Sequence, residues 1–252
     1  MTQATGVLII GHGSRDRAAL MEFSVLASAV GKRLPEFASK HAYLEFSEPS
    51  IAGQLDAFRA VGTTRILAIP ALLFAAGHAN SDIPGILDLY QAEHPEVAIS
   101  YGQILGPVPD MIAAAGGRIR EAARNNGGKF SDTALLVIGR GASDPSAQAG
   151  LWQVMRGLWS ELGFGWGEVA FAGMNFPDVE AALAHTVRLG YSRIAVLPYF
   201  LSTGILLRRI DEVIDRAAKA NPTITFLKAG HLKDHPLVVE TLVARILELG
   251  RA

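Results

Sequence analysis

Three residues in the first half of the chain, His12, Glu45 and His78, are of types that hold a divalent metal through nitrogen and oxygen. Two imidazoles and one carboxylate form a ligand set used by borderline or hard metals that keep coordination positions open. The 252 residues contain no cysteine, so thiolate sites and disulfides are excluded and any metal must sit on such donors. Singly, each residue has an ordinary alternative. His12 fits a loop imidazole bonded to backbone, and Glu45 a strand-end carboxylate meeting solvent or an arginine. His78 fits a polar loop leading into a helix capped by Ser81 or Asp82. Jointly, metal binding gains ground if the fold brings the three together.

Apolar runs of strand length alternate with helical patterns: VLII (7 to 10), AYLEF (42 to 46), RILAIPA (65 to 71) and VAISY (97 to 101). Phe23, Ala27, Val30 and Leu34 recur at helical spacing after the first run, and Leu55, Phe58 and Val61 after the second. The second half repeats the scheme with ALLVI (134 to 138), EVAFA (168 to 172), RIAVLPY (193 to 199) and ITFLKA (224 to 229). Adding 128 to a residue number gives its counterpart: Leu8, Gly11, Gly13, Asp16, Pro49, Arg65 and Pro70 match Leu136, Gly139, Gly141, Asp144, Pro177, Arg193 and Pro198. Near-continuous apolar strands separated by helices predict parallel sheets covered on both faces. The expected fold is therefore α/β, with two tandem doubly wound, Rossmann-like parallel-sheet domains from an internal duplication and a cleft between them. The turn-rich stretch NNGGKFSD (125 to 132) sets the domains at 1–127 and 128–252.

In an open parallel sheet, ligands bind outside the carboxyl ends of the strands. His12 follows the first strand, Glu45 ends the second and His78 lies in the loop after the third, so three strand ends converge on one spot. The copy lacks the set: His12 becomes Arg140, Glu45 becomes Gly173, and His78 becomes Leu206, or Ile205 if one gap is opened. One active site in a doubled scaffold follows, with the second domain a degenerate copy.

Several other chemistries lose their support. GHGSRD (11 to 16) is a glycine-rich strand-to-helix turn whose amides favour an anion. Asp16 stands where a dinucleotide fingerprint needs its third glycine, and no Walker-type GK[ST] occurs, so neither NAD nor ATP is expected. There is no G-x-S-x-G elbow to make Ser14 a nucleophile. A formal charge of -1 gives no basic field for nucleic acid or an anionic membrane, and MTQATGVLII, with no positive n-region and only a short apolar run, is not expected to act as a signal peptide or a span. A cytoplasmic protein with a small-molecule partner is expected. His231 and His235, in GHLKDHP, sit on a strand-to-helix loop before Pro236 and are read as structural rather than as a second metal site. Arg208 and Arg209 are read as a solvated helix face, and Trp152, Trp159 and Trp166 as core or domain contacts.

With GHGSRD, LEFSEPSI and IPALLFAAGHANSDIP in the first half, and LLVIGRGASDP, FAGMNFPDVE and RIAVLPYFLSTG in the second, the whole chain resembles the sirohydrochlorin chelatases of the CbiX/SirB type, class II tetrapyrrole chelatases, in their long two-domain form. The resemblance implies that His12 and His78 bind the incoming divalent metal and that Glu45 is the acidic residue of the second-strand motif. It also implies a lyase that inserts Co2+ or Fe2+, with Ni2+ a further option, into sirohydrochlorin with release of two protons, in cobalamin or siroheme biosynthesis. Glu45 or one of the imidazoles is expected to accept the ring protons. Ser14, Arg15 and Arg140 are the expected donors to the substrate's carboxylates, although Arg140 paired with Asp144 or Asp132 fits equally. The duplication favours a monomer. A non-catalytic metal carrier, or a small-ligand sensor built from two lobes, is the competing class.

Overall fold

The computed structural model describes residues 5–75, 77 and 81–251. In the first half, strands β1 (Thr5–Gly11), β2 (Ala38–Tyr43), β3 (Arg65–Pro70) and β4 (Ala98–Tyr101) alternate with helices α1 (Arg17–Arg33), α2 (Ile51–Arg59), α3 (Ile83–Glu93) and α4 (Pro109–Ala123). The second half repeats this as β5 (Thr133–Gly139), α5 (Pro145–Leu162), β6 (Trp166–Phe171), α6 (Val179–Arg188), β7 (Arg193–Pro198), α7 (Ile205–Ala220), β8 (Thr225–Lys228) and α8 (Pro236–Arg251). Each half forms a parallel four-stranded sheet, ordered β2-β1-β3-β4 and β6-β5-β7-β8. The expected α/β architecture of two parallel sheets is present. No helix among the described residues is long and apolar enough to cross a membrane.

The strands sit where their hydrophobicity directs them. VLII in β1 and ALLVI in β5 have helices on both faces and no accessible surface. One face of the first sheet packs Leu8, Ile10, Ile66 and Ala68 against Leu55 and Phe58 of α2 and Ile83 and Leu87 of α3. In the second sheet, Leu136, Ile138, Ile194 and Val196 meet Ala182 and Leu183 of α6 and Ile210 and Ile214 of α7. Edge strands are less apolar, and there the pattern misleads. β2 is ASKHAY, so it begins four residues before the expected AYLEF and stops at Tyr43, leaving Leu44, Glu45 and Phe46 in the following loop. β6 likewise starts at Trp166. Val61 lies past the end of α2 and is exposed. Asp82 occupies the cap position of α3 without a side-chain cap bond, while Asp16, Ser50, Asp144 and Asp178 do cap their helices.

The pairing registers carry the duplication into three dimensions. β1 and β2 pair from Gly6 with Ala38 to Gly11 with Tyr43; β5 and β6 pair from Ala134 with Trp166 to Gly139 with Phe171, each residue displaced by 128. Arg65 pairs with Ala98, but Arg193 pairs with Thr225, a displacement of 127 for the last strand. The second repeat is therefore one residue shorter than the first between its third and fourth strands.

The compact units are not the linear halves. One comprises Met1–Gly106 with Asp234–Ala252, the other Pro107–Lys233. Each sheet is thus covered by the last helix of the other half. In the first unit α8 packs on β3 and α1, and in the second α4 packs on β7, β8 and α5. A matched pair of arginines secures both. Arg65 donates to the Leu249 carbonyl in the last turn of α8 (3.2 Å), and Arg193 to the Asn126 carbonyl just beyond α4 (2.9 Å). The sequence repeat turns over near residue 128, whereas the packing turns over one helix earlier. Two tryptophans also differ from expectation: Trp152 and Trp166 are substantially exposed, because they lie on the outer face of α5 and at the start of the edge strand β6.

The exchange makes a distinct prediction for fragments. Residues 107–233 form a contiguous unit with its own covered sheet and are expected to unfold cooperatively in isolation. Residues 1–127 lack α8, carry α4 without its partners, and are expected to aggregate or melt without a transition. Circular dichroism melts of the two purified fragments check this; a cooperative melt for 1–127 would contradict it.

Candidate metal centre

The first sheet ends in two loops that are bonded to each other. Leu44 N–H donates to the Gly11 carbonyl (2.9 Å) and Glu45 N–H to the His12 carbonyl (3.1 Å), which continues the strand pairing into the loops. Gly13 makes this possible. Its φ is 94°, and a Cβ there would lie 1.8 Å from the Glu45 carbonyl oxygen, so only glycine allows the backbones to meet. Ser47 completes the zipper: its hydroxyl donates to the Ser14 carbonyl (2.7 Å) and accepts from Ser14 N–H (3.2 Å). Ser14 Oγ accepts from Asp16 N–H (3.0 Å), and Asp16 caps α1 through Ala18 N–H (3.0 Å).

This backbone arrangement sets His12 and Glu45 side by side. His12 Nδ1 lies 3.4 Å from Glu45 Oε1, with 23% and 35% of the two side chains accessible. An imidazole and a carboxylate at that separation, half-open to solvent, can receive an ion from solution and give it up again, unlike the closed cage of a structural site. Tyr43, just beneath, is unsuited to be a base. Burial pushes its phenol up from the ordinary value, and its hydroxyl donates to the Leu20 carbonyl (3.3 Å). Phe46 flanks the pair. Its ring lies 6.2 Å from the His12 ring at an interplanar angle of 19°, and the Arg15 guanidinium carbon lies 5.0 Å from its centroid.

The third sequence candidate, His78, lies outside the described residues. The second unit nevertheless has all three counterpart positions in view. Gly173 N–H donates to the Arg140 carbonyl (2.9 Å), as Glu45 does to that of His12. Gly141, at φ 89°, would meet the Met174 carbonyl at 2.1 Å if it carried a Cβ. Asn175 Oδ1 accepts from Ala142 N–H (2.8 Å), replacing the serine pair. A Cβ on Gly173 would lie 3.6 Å from Arg140 Cγ and 3.8 Å from Leu206 Cδ1. Positions 140, 173 and 206 therefore converge, with Leu206 rather than the outward Ile205 as the third member. The second centre holds a cation, a glycine and an aliphatic side chain where the first has His12 and Glu45.

Of the remaining sequence candidates, Arg15 is exposed beside Phe46, and the Ser14 hydroxyl is engaged within its loop. Arg208 and Arg209 lie on the exposed face of α7. His235 Nδ1 accepts from Leu237 N–H at the start of α8 (3.2 Å), a capping role that suits the residue before Pro236. Sequence reasoning missed Phe46 and Ser47. Reading AYLEF as strand places Phe46 at its end, and the available signal was its place between Glu45 and the turn residues SEPS.

The loop contact predicts a specific cost. Gly13→Ala adds both an unfavourable φ and a backbone collision, whereas Gly62→Ala, at φ 79° with nothing within 4 Å of the new Cβ, adds only the first. Gly62→Ala is expected to cost about 1–2 kcal/mol, and Gly13→Ala clearly more, with loss of metal affinity that Gly62→Ala does not share. Chemical denaturation and metal titration of both variants test this; equal stability losses would remove the close approach as a constraint.

Comparison with known proteins bears on what this centre is for. The CbiX family model matches residues 6–122 and again 134–249. A sirohydrochlorin cobaltochelatase of Priestia megaterium is 30% identical over 96% of this chain and 79% of its own length. A sirohydrochlorin ferrochelatase of the same organism is 29% identical over 91% of this chain and 84% of its own. Among solved structures, SirB from Bacillus subtilis with Fe3+ superposes with a TM-score of 0.85 at 25% identity, covering 97% of this chain and 95% of that one. Two copies of one family model, in the register of the observed duplication, account for nearly all of the chain, and the protein belongs to the CbiX family.

Proposed function

We propose that the protein is a sirohydrochlorin chelatase, a lyase that inserts a divalent metal, Co2+ or Fe2+, into sirohydrochlorin and releases two protons. The observation that carries the reading is the His12–Glu45 pair, 3.4 Å apart at neighbouring strand ends and half-open to solvent, in a chain whose relatives include both a cobaltochelatase and a ferrochelatase of this substrate. The metal is a substrate. His12 and Glu45, with His78 as the third ligand, hold it loosely enough to surrender it to four convergent ring nitrogens. The metal replaces two N–H protons, so the charge of the ring core is conserved and neither ATP nor NAD is required. Glu45 is the base for those protons, its carboxylate freed as the metal moves to the macrocycle.

Sirohydrochlorin carries many carboxylates, which require cationic partners in a protein of formal charge -1. Arg15, the Ser14 loop and Arg140 fill that role. Arg140 occupies in the second unit the position His12 holds in the first, and it turned a duplicated ligand position into a carboxylate anchor. Cobalt would place the enzyme in cobalamin synthesis and iron in siroheme synthesis, acting in the cytoplasm as a monomer without nucleic acid or membrane.

The test is anaerobic metal insertion, followed by the macrocycle's absorption with limiting Co2+ or Fe2+. Wild type is expected to exceed the spontaneous rate and His12→Ala to abolish the excess; no acceleration by wild type would end the chelatase reading. Glu45→Gln should slow insertion by about 100-fold while changing metal affinity far less; parallel losses would leave Glu45 as a ligand only. Arg140→Ala should raise the KM for sirohydrochlorin by about 10-fold or more, and an unchanged KM would remove the anchor.

A further inference from the structure

Among the described residues beside the candidate metal centre, Phe46 stands out by its backbone conformation. Its φ is 63°, in the left-handed region that a bulky side chain adopts only at a cost, and 55% of its surface is exposed. The loop itself does not require this. In the second unit the same strand-end bonding is kept, but the left-handed residue is one position later, at Asn175 (φ 76°), a residue type that tolerates it. The counterpart of Phe46, Met174, is not in that region. In the first unit the backbone thus carries a strained, solvent-facing phenyl ring where an asparagine would close the loop more cheaply.

The strain brings the ring alongside His12, near parallel to the imidazole at 6.2 Å and within reach of the Arg15 guanidinium at 5.0 Å. The relation to the imidazole matters. A metal held by an imidazole nitrogen lies in the imidazole plane, and it enters a macrocycle along the macrocycle's normal. The macrocycle must therefore arrive roughly perpendicular to the His12 ring. A phenyl ring parallel to His12 then meets the same macrocycle face edge-on, the arrangement in which its electropositive rim contacts a π face. The Arg15 cation beside it suits a substrate whose periphery is anionic.

We infer that Phe46 is a positioning residue for the planar tetrapyrrole, a post beside the metal that meets the macrocycle edge-to-face and fixes its standoff and tilt over His12. This rests on the chelatase reading and extends it to a residue outside the ligand set. Phe46→Asn removes the ring and relieves the backbone; Phe46→Leu keeps apolar bulk without a π edge; Phe46→Tyr keeps the ring. Three quantities are measured for each: the melting temperature, the Kd for Co2+ alone, and the KM and kcat for sirohydrochlorin. Phe46→Asn is expected to melt at or above the wild-type temperature and to bind Co2+ as wild type does. Its sirohydrochlorin KM should rise about 3- to 10-fold, more than kcat falls, with Leu intermediate and Tyr close to wild type.

If Phe46→Asn loses Co2+ affinity in step with sirohydrochlorin, the ring props up His12 and the inference is overturned. An unchanged KM in a wild-type background that does insert metal overturns it alone and leaves the chelatase reading intact. A wild-type protein that neither binds nor metallates sirohydrochlorin removes both.

Discussion

The close approach of two loop backbones is the constraint on which the centre depends. With Gly13 pressed against the Glu45 carbonyl and Glu45 N–H bonded to the His12 carbonyl, two neighbouring strand ends become one rigid piece. Side-chain chemistry is then set by backbone position: whatever occupies residues 12 and 45 must lie side by side. Ser47 and the Asp16 cap fasten the same piece to the start of α1, so His12 and Glu45 stand on a bonded frame rather than on a free loop. Such a frame fixes the relative geometry of the two side chains through the backbone rather than through anything bound between them.

The second unit shows that the frame and the chemistry are separable. Gly141, Gly173 and Asn175 reproduce the backbone contacts while Arg140 and Leu206 replace potential ligands. Arg140, Gly173 and Leu206 offer no nitrogen and oxygen ligand set of the kind that His12 and Glu45 provide, and the guanidinium at 140 puts a positive charge where the first unit has an imidazole. The two units thus carry the same backbone frame with different side chains at matched positions, His12 in one and Arg140 in the other. The exchanged helices α4 and α8 carry the same history, since each covers the sheet of the other repeat and is fastened at its end by a duplicated arginine.

Much of this was legible from the residues. VLII and ALLVI announce central strands because burial on both faces leaves no polar alternation, and the match of Gly13 with Gly141 and Asp16 with Asp144 predicts identical turns and caps. The convergence of positions 12 and 45 follows from parallel topology alone. What was not legible depends on long-range packing. ASKHAY gives no apolar signal because it is an edge strand, so Phe46 was counted into a strand that ends at Tyr43. The helix exchange leaves no trace in the linear repeat, since α4 and α8 have the same apolar face whichever sheet receives it. The strained φ of Phe46 is invisible in sequence because a bulky residue gives no signal for the left-handed region, unlike glycine or asparagine.

The most direct measurement is the stoichiometry of Co2+ binding, by anaerobic titration of the wild-type protein and the His12→Ala variant, read from the ligand-field spectrum. One equivalent bound by wild type and lost on removal of His12 is the predicted result, because the frame is doubled while its ligands are present once. Two equivalents, or one that survives the loss of His12, would contradict it and move the metal to the second frame or to His231 and His235.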